Sequence, residues 1–308
     1  MFTMLERLTE RPRLGCRFER SDAFIPQQIE RRLQEFFSHI SPGAWLVDWV
    51  PILDYLPDFL APWRKHAVAV RESIMSFYGV FYDSMKEKVR AGTAPDCFVS
   101  RLIKEQSGTM SDNEHVHFMA DLLQAGTETT ATTMKWFCKA AVLYPEAVRR
   151  AQAELDRVVG NSRLPTWDDR KSLPYVHAFI EELHRWATVA PLAFPHATSE
   201  ADTYRGKTIP AGTTVMINIH AIHRNPEYYP EPESFIPERF FEESRLADGP
   251  GAKGLPAAYA FGVGRRECPG KHVADANLYI VISRIMWSFD VEAGSAPPPP
   301  GFCKCAIR

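Results

Sequence analysis

Apolar residues recur at helical spacing through most of the first 190 positions of the chain. Residues 24 to 41 predict an amphipathic helix, stopped by Ser41-Pro42-Gly43. Positions 61 to 90 carry Val68, Ile74 and Phe77 on the same period, with Gly92 as the stop. Ser111 and Glu114 have the Ser-x-x-Glu spacing of a capping box, which opens a long helix over about 111–144 through Phe118, Leu122, Met134 and Phe137. Pro145 begins the next helix, ending at Gly160, and Pro174 begins another, over about 174–189. Beyond Pro191 the helical period is lost. Pro195, Gly206, Pro210 and Gly212 punctuate short β-prone runs such as 213–219. Residues 224–260 read as an ordered, proline-rich meander. Val273, Ala276, Ile280 and Trp287 then mark one face of a final helix, and Pro297 to Pro300 exclude helix from the tail. The pattern predicts a mainly α fold with a small β region and no internal repeat.

Composition adds bounds rather than chemistry. The 308 residues are 45% hydrophobic and 24% charged, with a net charge of −2, an ordinary globular balance that excludes nucleic acid as an expected partner. The six cysteines, at 16, 97, 138, 268, 303 and 305, have neither disulfide-framework nor zinc-site spacing, which fits a reducing compartment. There is no apolar run of membrane-spanning length, and the start at Met1 to Leu8 has no secretion-signal core. The segment Ala44 to Pro57 is rich in aromatic and aliphatic side chains; Asp48, Asp54 and two prolines exclude a span. It reads as a folded loop over a cavity, with a membrane-surface patch as the alternative.

One window concentrates the chemistry. Phe261-Gly262-Val263-Gly264-Arg265-Arg266-Glu267-Cys268-Pro269-Gly270 is a glycine-cornered loop presenting one cysteine just before the final helix. Gly264 and Gly270 are expected to adopt positive φ. Arg266 brings positive charge, and the helix starting near Lys271 aims its dipole at the sulfur, which suits an ionised thiolate facing a metal. An ordinary turn with a buried cysteine is the alternative. The window is similar, without departure, to the cysteine loop of the cytochrome P450 family, Phe-x-x-Gly-x-Arg-x-Cys-x-Gly. The resemblance implies that Cys268 is the proximal ligand of the iron of haem b, iron protoporphyrin IX. Phe261, Arg266 and Gly270 would then be cofactor-binding.

Within the long helix, Ala125-Gly126-Thr127-Glu128-Thr129-Thr130 breaks the rules of helix composition. Small residues let a flat ligand approach the backbone, while a hydroxyl and a carboxylate can hold water and pass protons. A packing groove for a neighbouring helix is the alternative. The segment resembles the oxygen-activating helix of the same family, which implies catalytic roles for Thr129 and Glu128 in proton delivery, with Ala125 and Gly126 against the cofactor. Glu182 and Arg185 fit the family's Glu-x-x-Arg pair, although Glu10/Arg13, Glu87/Arg90, Glu146/Arg149, Glu154/Arg157 and Glu242/Arg245 share its spacing. Such pairs are commonly surface salt bridges. Arg239, in Pro237-Glu238-Arg239-Phe240, resembles the third member of a buried structural network with them. His196, after Pro195, would contact a haem propionate or stand as a solvated loop histidine, and Arg266 offers the same carboxylate a fork. His115 and His117 read as surface residues. Phe118, Leu122, Leu192 and Phe194 would line a substrate pocket.

The resemblance spans roughly residue 21 to the end. It implies a single cytochrome P450 domain over 1–308 that lacks the N-terminal portion of that fold. It further implies insertion of one oxygen atom from O2 into a small apolar organic substrate, in a fungal secondary-metabolism setting. Electrons would come from an NADPH-cytochrome P450 reductase, since the chain has no dinucleotide fingerprint of its own. A full-length form would sit on the cytoplasmic side of the endoplasmic reticulum. Two alternatives stay open at this point: an inactive remnant, and a haem-thiolate protein without monooxygenase activity.

Overall fold

The computed structural model describes residues 24–40, 43–105, 108–241 and 257–292. It is mainly helical with a small β component. The chain divides into two compact units, Met1–Ala131 and Thr132–Arg308.

In the first unit, α1 (Phe24–Ile40), the short α2 (Leu46–Trp49), α3 (Pro62–Arg90) and α4 (Phe98–Glu105) precede the first part of α5 (Asp112–Leu143). Helix α4 is absent from the sequence reading, because eight residues give the period too little length to register. The core gathers Ile74, Tyr78, Tyr82 and Met85 of α3, Val99 and Ile103 of α4, and Val116, Met119 and Ala120 of α5, with Phe36 of α1 packed against them. The capping box forms: the Ser111 N–H donates to Glu114 Oε2 at 2.7 Å, and the Glu114 N–H to Ser111 Oγ at 3.3 Å. His115 is not a surface residue. It is buried, with Nδ1 at 2.8 Å from the Tyr82 hydroxyl, whose own hydrogen goes to Asp112 Oδ1 at 2.9 Å. That contact serves one ring nitrogen, while Nε2 has no hydrogen-bond partner among the described residues.

The aromatic segment after α1 forms α2 and two 3-10 turns, Pro51–Tyr55 and Asp58–Leu60. Arg64 clamps these turns through the Leu56 carbonyl at 3.0 Å and Asp58 at 2.9 Å. Leu46, Trp49, Ile52, Tyr55 and Phe59 are all exposed.

In the second unit, the rest of α5 leads to α6 (Pro145–Val158) and α7 (Pro174–Trp186). Helix α7 stops three residues before Val189, because Ala187 leaves helical dihedrals at φ −127° and ψ 62°. Two small antiparallel pairs follow. β1 (His196–Ala197) pairs with β4 (Thr214–Val215), and β2 (Asp202–Tyr204) with β3 (Lys207–Ile209). The β-prone run 213–219 yields only β4, because Asn218 accepts the Ala221 N–H at 2.9 Å and caps α8 (Ile219–His223) instead.

The last helix, α9 (Lys271–Ser288), buries Leu278, Tyr279, Val281, Ile282, Ser283 and Met286, while Val273 is exposed. The helix is apolar on most sides, so spacing alone did not select its inner face. Tertiary bonds select it: the Tyr279 hydroxyl donates to the Thr166 carbonyl at 3.1 Å, and Arg284 Nε to that of Pro165 at 3.0 Å. Cys16, Cys303, Cys305, Glu10, Arg13, Glu242, Arg245, residues 1–8 and Pro297–Pro300 lie outside the described residues.

Candidate functional site: a cysteine loop and an exposed helix stripe

The cysteine loop of the second unit is a closed turn. A 3-10 turn at Gly264–Arg266 lets the Glu267 N–H reach the Gly264 carbonyl at 3.1 Å. The Cys268 N–H then returns to the Phe261 carbonyl at 2.8 Å. Two left-handed residues make this path possible, Gly262 at φ 76° and Gly264 at φ 68°. Gly270 is not one of them. It caps α9 at φ −86°, where the backbone needs no glycine, and a Cβ there would make an ordinary 3.7 Å contact with Cys268 Sγ. The sulfur is exposed beside the start of α9, where the helix carries its partial positive charge. Arg266 is exposed too and has no ion-pair partner among the described residues, while Lys271 is held by Glu267 at 3.0 Å.

Helix α7 anchors the loops around this turn. Both oxygens of Glu182 accept from Arg185 at 2.7 Å, and each side chain is 0% exposed. The remaining guanidinium hydrogens reach the carbonyls of His223, Pro232 and Ser234 at 2.9, 2.8 and 3.0 Å. Glu182 Oε1 also accepts the Ile236 N–H at 2.8 Å. Arg239 Nε stands 3.5 Å from that oxygen without a hydrogen bond, and its Nη2 donates to the Glu231 carbonyl at 2.8 Å. Burial pushes the Glu182 carboxyl up, and the Arg185 guanidinium pulls against it. Two oxygens each accepting a guanidinium hydrogen describe an ionised carboxylate.

The competing pairs of the same spacing differ sharply. Glu146 and Arg149 meet at 2.7 Å with both side chains 65% exposed. Glu154 instead accepts the N–H groups of Tyr175 and Val176 at 3.0 Å, capping α7 from α6. That tertiary cap has no sequence signal. Nor do two buried histidines. His223 receives or donates a 2.8 Å hydrogen bond with Thr188, and burial lowers its pKa to about 4. Burial likewise lowers His184 to about 4. A cleft of about 380 Å³ near Glu238 is lined by Tyr144, Arg150, Tyr175 and Phe235, and none of the sequence candidates lines it.

In the first unit, Phe118, Leu122, Ala125, Gly126 and Thr129 lie along one face of α5 and are all exposed. An outward stripe of apolar and small residues on a long helix is a surface built for contact. The Thr129 hydroxyl donates to the Ala125 carbonyl at 2.7 Å, and Thr130 to that of Gly126 at 3.0 Å. A Cβ at Gly126 would meet nothing within 4 Å, so the glycine keeps the stripe low rather than relieving a clash. Glu128 is half-buried. In the second unit Leu192 and Phe194 are exposed, and His196 is exposed in β1 opposite Val215.

The cytochrome P450 family model matches residues 14–304. The chain belongs to the cytochrome P450 family. Among curated relatives, cytochrome P450 monooxygenase polD of Polytolypa hystricis is 40% identical over 262 residues, covering 84% of this chain and 51% of the relative. Cytochrome P450 monooxygenase 231 of Postia placenta is 40% identical over 280 residues, covering 84% and 49%. Cytochrome P450 monooxygenase claR of Ampulloclitocybe clavipes is 37% identical over 277 residues, covering 89% and 50%. The chain thus spans about half the length of the curated relatives it matches. Membership implies a haem-iron cofactor. The second unit fits that group: a free, exposed cysteine stands on a glycine-shaped loop, next to a helix start and an exposed arginine.

Proposed function

We propose that this chain carries the cofactor-binding and oxygen-activating machinery of a fungal cytochrome P450 monooxygenase acting on a small apolar substrate in secondary metabolism. The cofactor would be haem b, and electrons would come from an NADPH-cytochrome P450 reductase at the endoplasmic reticulum. No helix among the described residues is long and apolar enough to cross a membrane. The observation that carries the reading is the Cys268 loop, an exposed sulfur on a turn closed by its own N–H. The relatives bear the name monooxygenase, which supports the class of reaction.

A haem iron held by the Cys268 thiolate would supply the oxygen chemistry. The protein's part is to hold, orient and deliver protons. Cys268 Sγ would be the metal ligand. Phe261 would pack beside it, and Arg266 and His196 would pair with the propionates. On α5, Ala125 and Gly126 would leave room for a flat ring, while Thr129 and Glu128 would pass protons. Phe118, Leu122, Leu192 and Phe194 would turn apolar side chains toward substrate. Glu182, Arg185 and Arg239 would act structurally.

The test is an absorbance spectrum of the 308-residue chain supplied with haem, reduced and exposed to carbon monoxide, beside Cys268→Ala. A strongly red-shifted Soret band in the parent, lost in the variant, is the expected result. A band indifferent to the substitution removes Cys268 as ligand.

A further inference from the structure

Within the Glu-x-x-Arg sequence of α7, position 184 holds a histidine whose ring no part of the network above uses. His184 is buried, and its imidazole packs edge-to-face on Phe261, with ring centroids 5.0 Å apart and planes at 66°. Phe261 is the residue whose carbonyl accepts the Cys268 N–H at 2.8 Å. On its other contacts, the Phe261 ring has Lys271 Nζ at 5.8 Å from its centroid, and Lys271 is itself tied to Glu267. Three elements therefore converge on one aromatic ring: α7 through His184, the loop through Phe261, and α9 through Lys271.

Helix α7 is anchored at both ends. Glu154 caps its start, and the Glu182–Arg185 network ties its end to surrounding carbonyls. A ring mounted there transmits that rigidity to whatever it touches. We propose that His184 is a positioning residue for the cysteine ligand, fixing Phe261 through ring contact so that the Cys268 N–H keeps its carbonyl partner and Sγ keeps its direction. This rests on the haem-thiolate reading above and deepens it.

The imidazole acts as a flat aromatic body rather than as an acid or base. Its Nε2 has no hydrogen-bond partner among the described residues, and Asp275 Oδ1 lies 3.9 Å away. The other titratable groups that influence the ring are His177 on its own helix, Lys271 on α9 and His223 on α8. Burial keeps the ring neutral at ordinary pH. An apolar ring should therefore replace it, whereas an aliphatic side chain of similar bulk should not.

The experiment compares His184→Phe and His184→Leu in the haem-supplied chain, reading two quantities. One is amide hydrogen exchange of the 261–270 segment against that of α7. The other is the fraction of reduced, carbon-monoxide-bound protein with the thiolate-type band. An edge-to-face pair is worth about 0.5–1.5 kcal/mol, so His184→Leu should speed loop exchange about two- to tenfold with α7 unchanged, and lower the thiolate-type fraction. His184→Phe should restore both. A mere core filler would show the reverse ordering, or parallel losses in α7 and the loop. Loop exchange in His184→Leu equal to the parent's, beside a Cys268-dependent band, overturns this inference alone. A red-shifted band that survives Cys268→Ala overturns the haem-thiolate reading and this inference with it.

Discussion

Glu182 and Arg185 show how much depends on single side chains. Two opposite charges sit fully out of water, and every hydrogen of the guanidinium that faces protein finds an oxygen. Removing one charge strands the other. Glu182→Gln should destabilise the chain by about 3–5 kcal/mol, read as a shift in the urea midpoint at unchanged slope. Glu146→Gln, at an exposed pair of the same spacing, should change stability by under about 1 kcal/mol. Equal losses in the two variants would deny the buried network its role.

The buried histidines make a pH prediction. His184 and His223 each titrate at about 4 in the folded chain, because burial penalises the cation. Their folded values lie below the unfolded value of 6.5, so the unfolded chain takes up protons first. Their contribution is complete above pH 6.5 and is lost as pH falls toward 4. The shift corresponds to about 3 kcal/mol for each ring at most. Urea unfolding at pH 7 and pH 4.5 should show a smaller pH penalty in His184→Phe than in the parent, and an identical penalty would refute the assignment.

At the scale of elements, two helix starts differ in how they are written. Helix α5 opens on Ser111 and Glu114, three residues apart, and the bonds between them are local. Ser111→Ala should cost about 1 kcal/mol, measured by thermal unfolding. Helix α7 has no such code. Pro174 suits its first turn, but the N–H groups of Tyr175 and Val176 are satisfied by Glu154 of the preceding helix. Glu154→Ala should therefore cost more, about 2–3 kcal/mol, since it leaves buried donors unpaired. It should also speed hydrogen exchange in the first turn of α7 before its last. The capping box is readable three residues at a time, and the Glu154 cap is not readable at all.

At the scale of the whole molecule, the exposed apolar side chains stand out. Trp49, at the end of α2, is 73% exposed, and Phe59, on a turn that Arg64 holds through Asp58, is 76% exposed. Such side chains favour association more than they favour the fold. Trp49→Gln with Phe59→Gln should raise the soluble concentration of the chain and change its unfolding midpoint by less than about 0.5 kcal/mol equivalent. A large loss of stability would show instead that the segment packs against something. The stripe on α5 is exposed as well, but it runs over residues that family resemblance assigns to cofactor and substrate. Apolar exposure alone does not separate these two patches; the motif at Ala125 to Thr130 does.

By itself the sequence determined the helical class, the starts of α3, α5, α6 and α7, and the family, through the cysteine loop. Those are local matters: a period, a cap, a proline, or a glycine that tolerates positive φ at Gly264. The tertiary structure decided which charges lose water and which rings meet. Glu146/Arg149 and Glu182/Arg185 have one spacing and opposite environments, and His115 reads as polar yet sits in the core against Tyr82. His184 meets Phe261 across an interval of chain that carries no local signal. Burial is set by what packs on a residue from far along the sequence, and so is the energy of every charge or ring that it encloses.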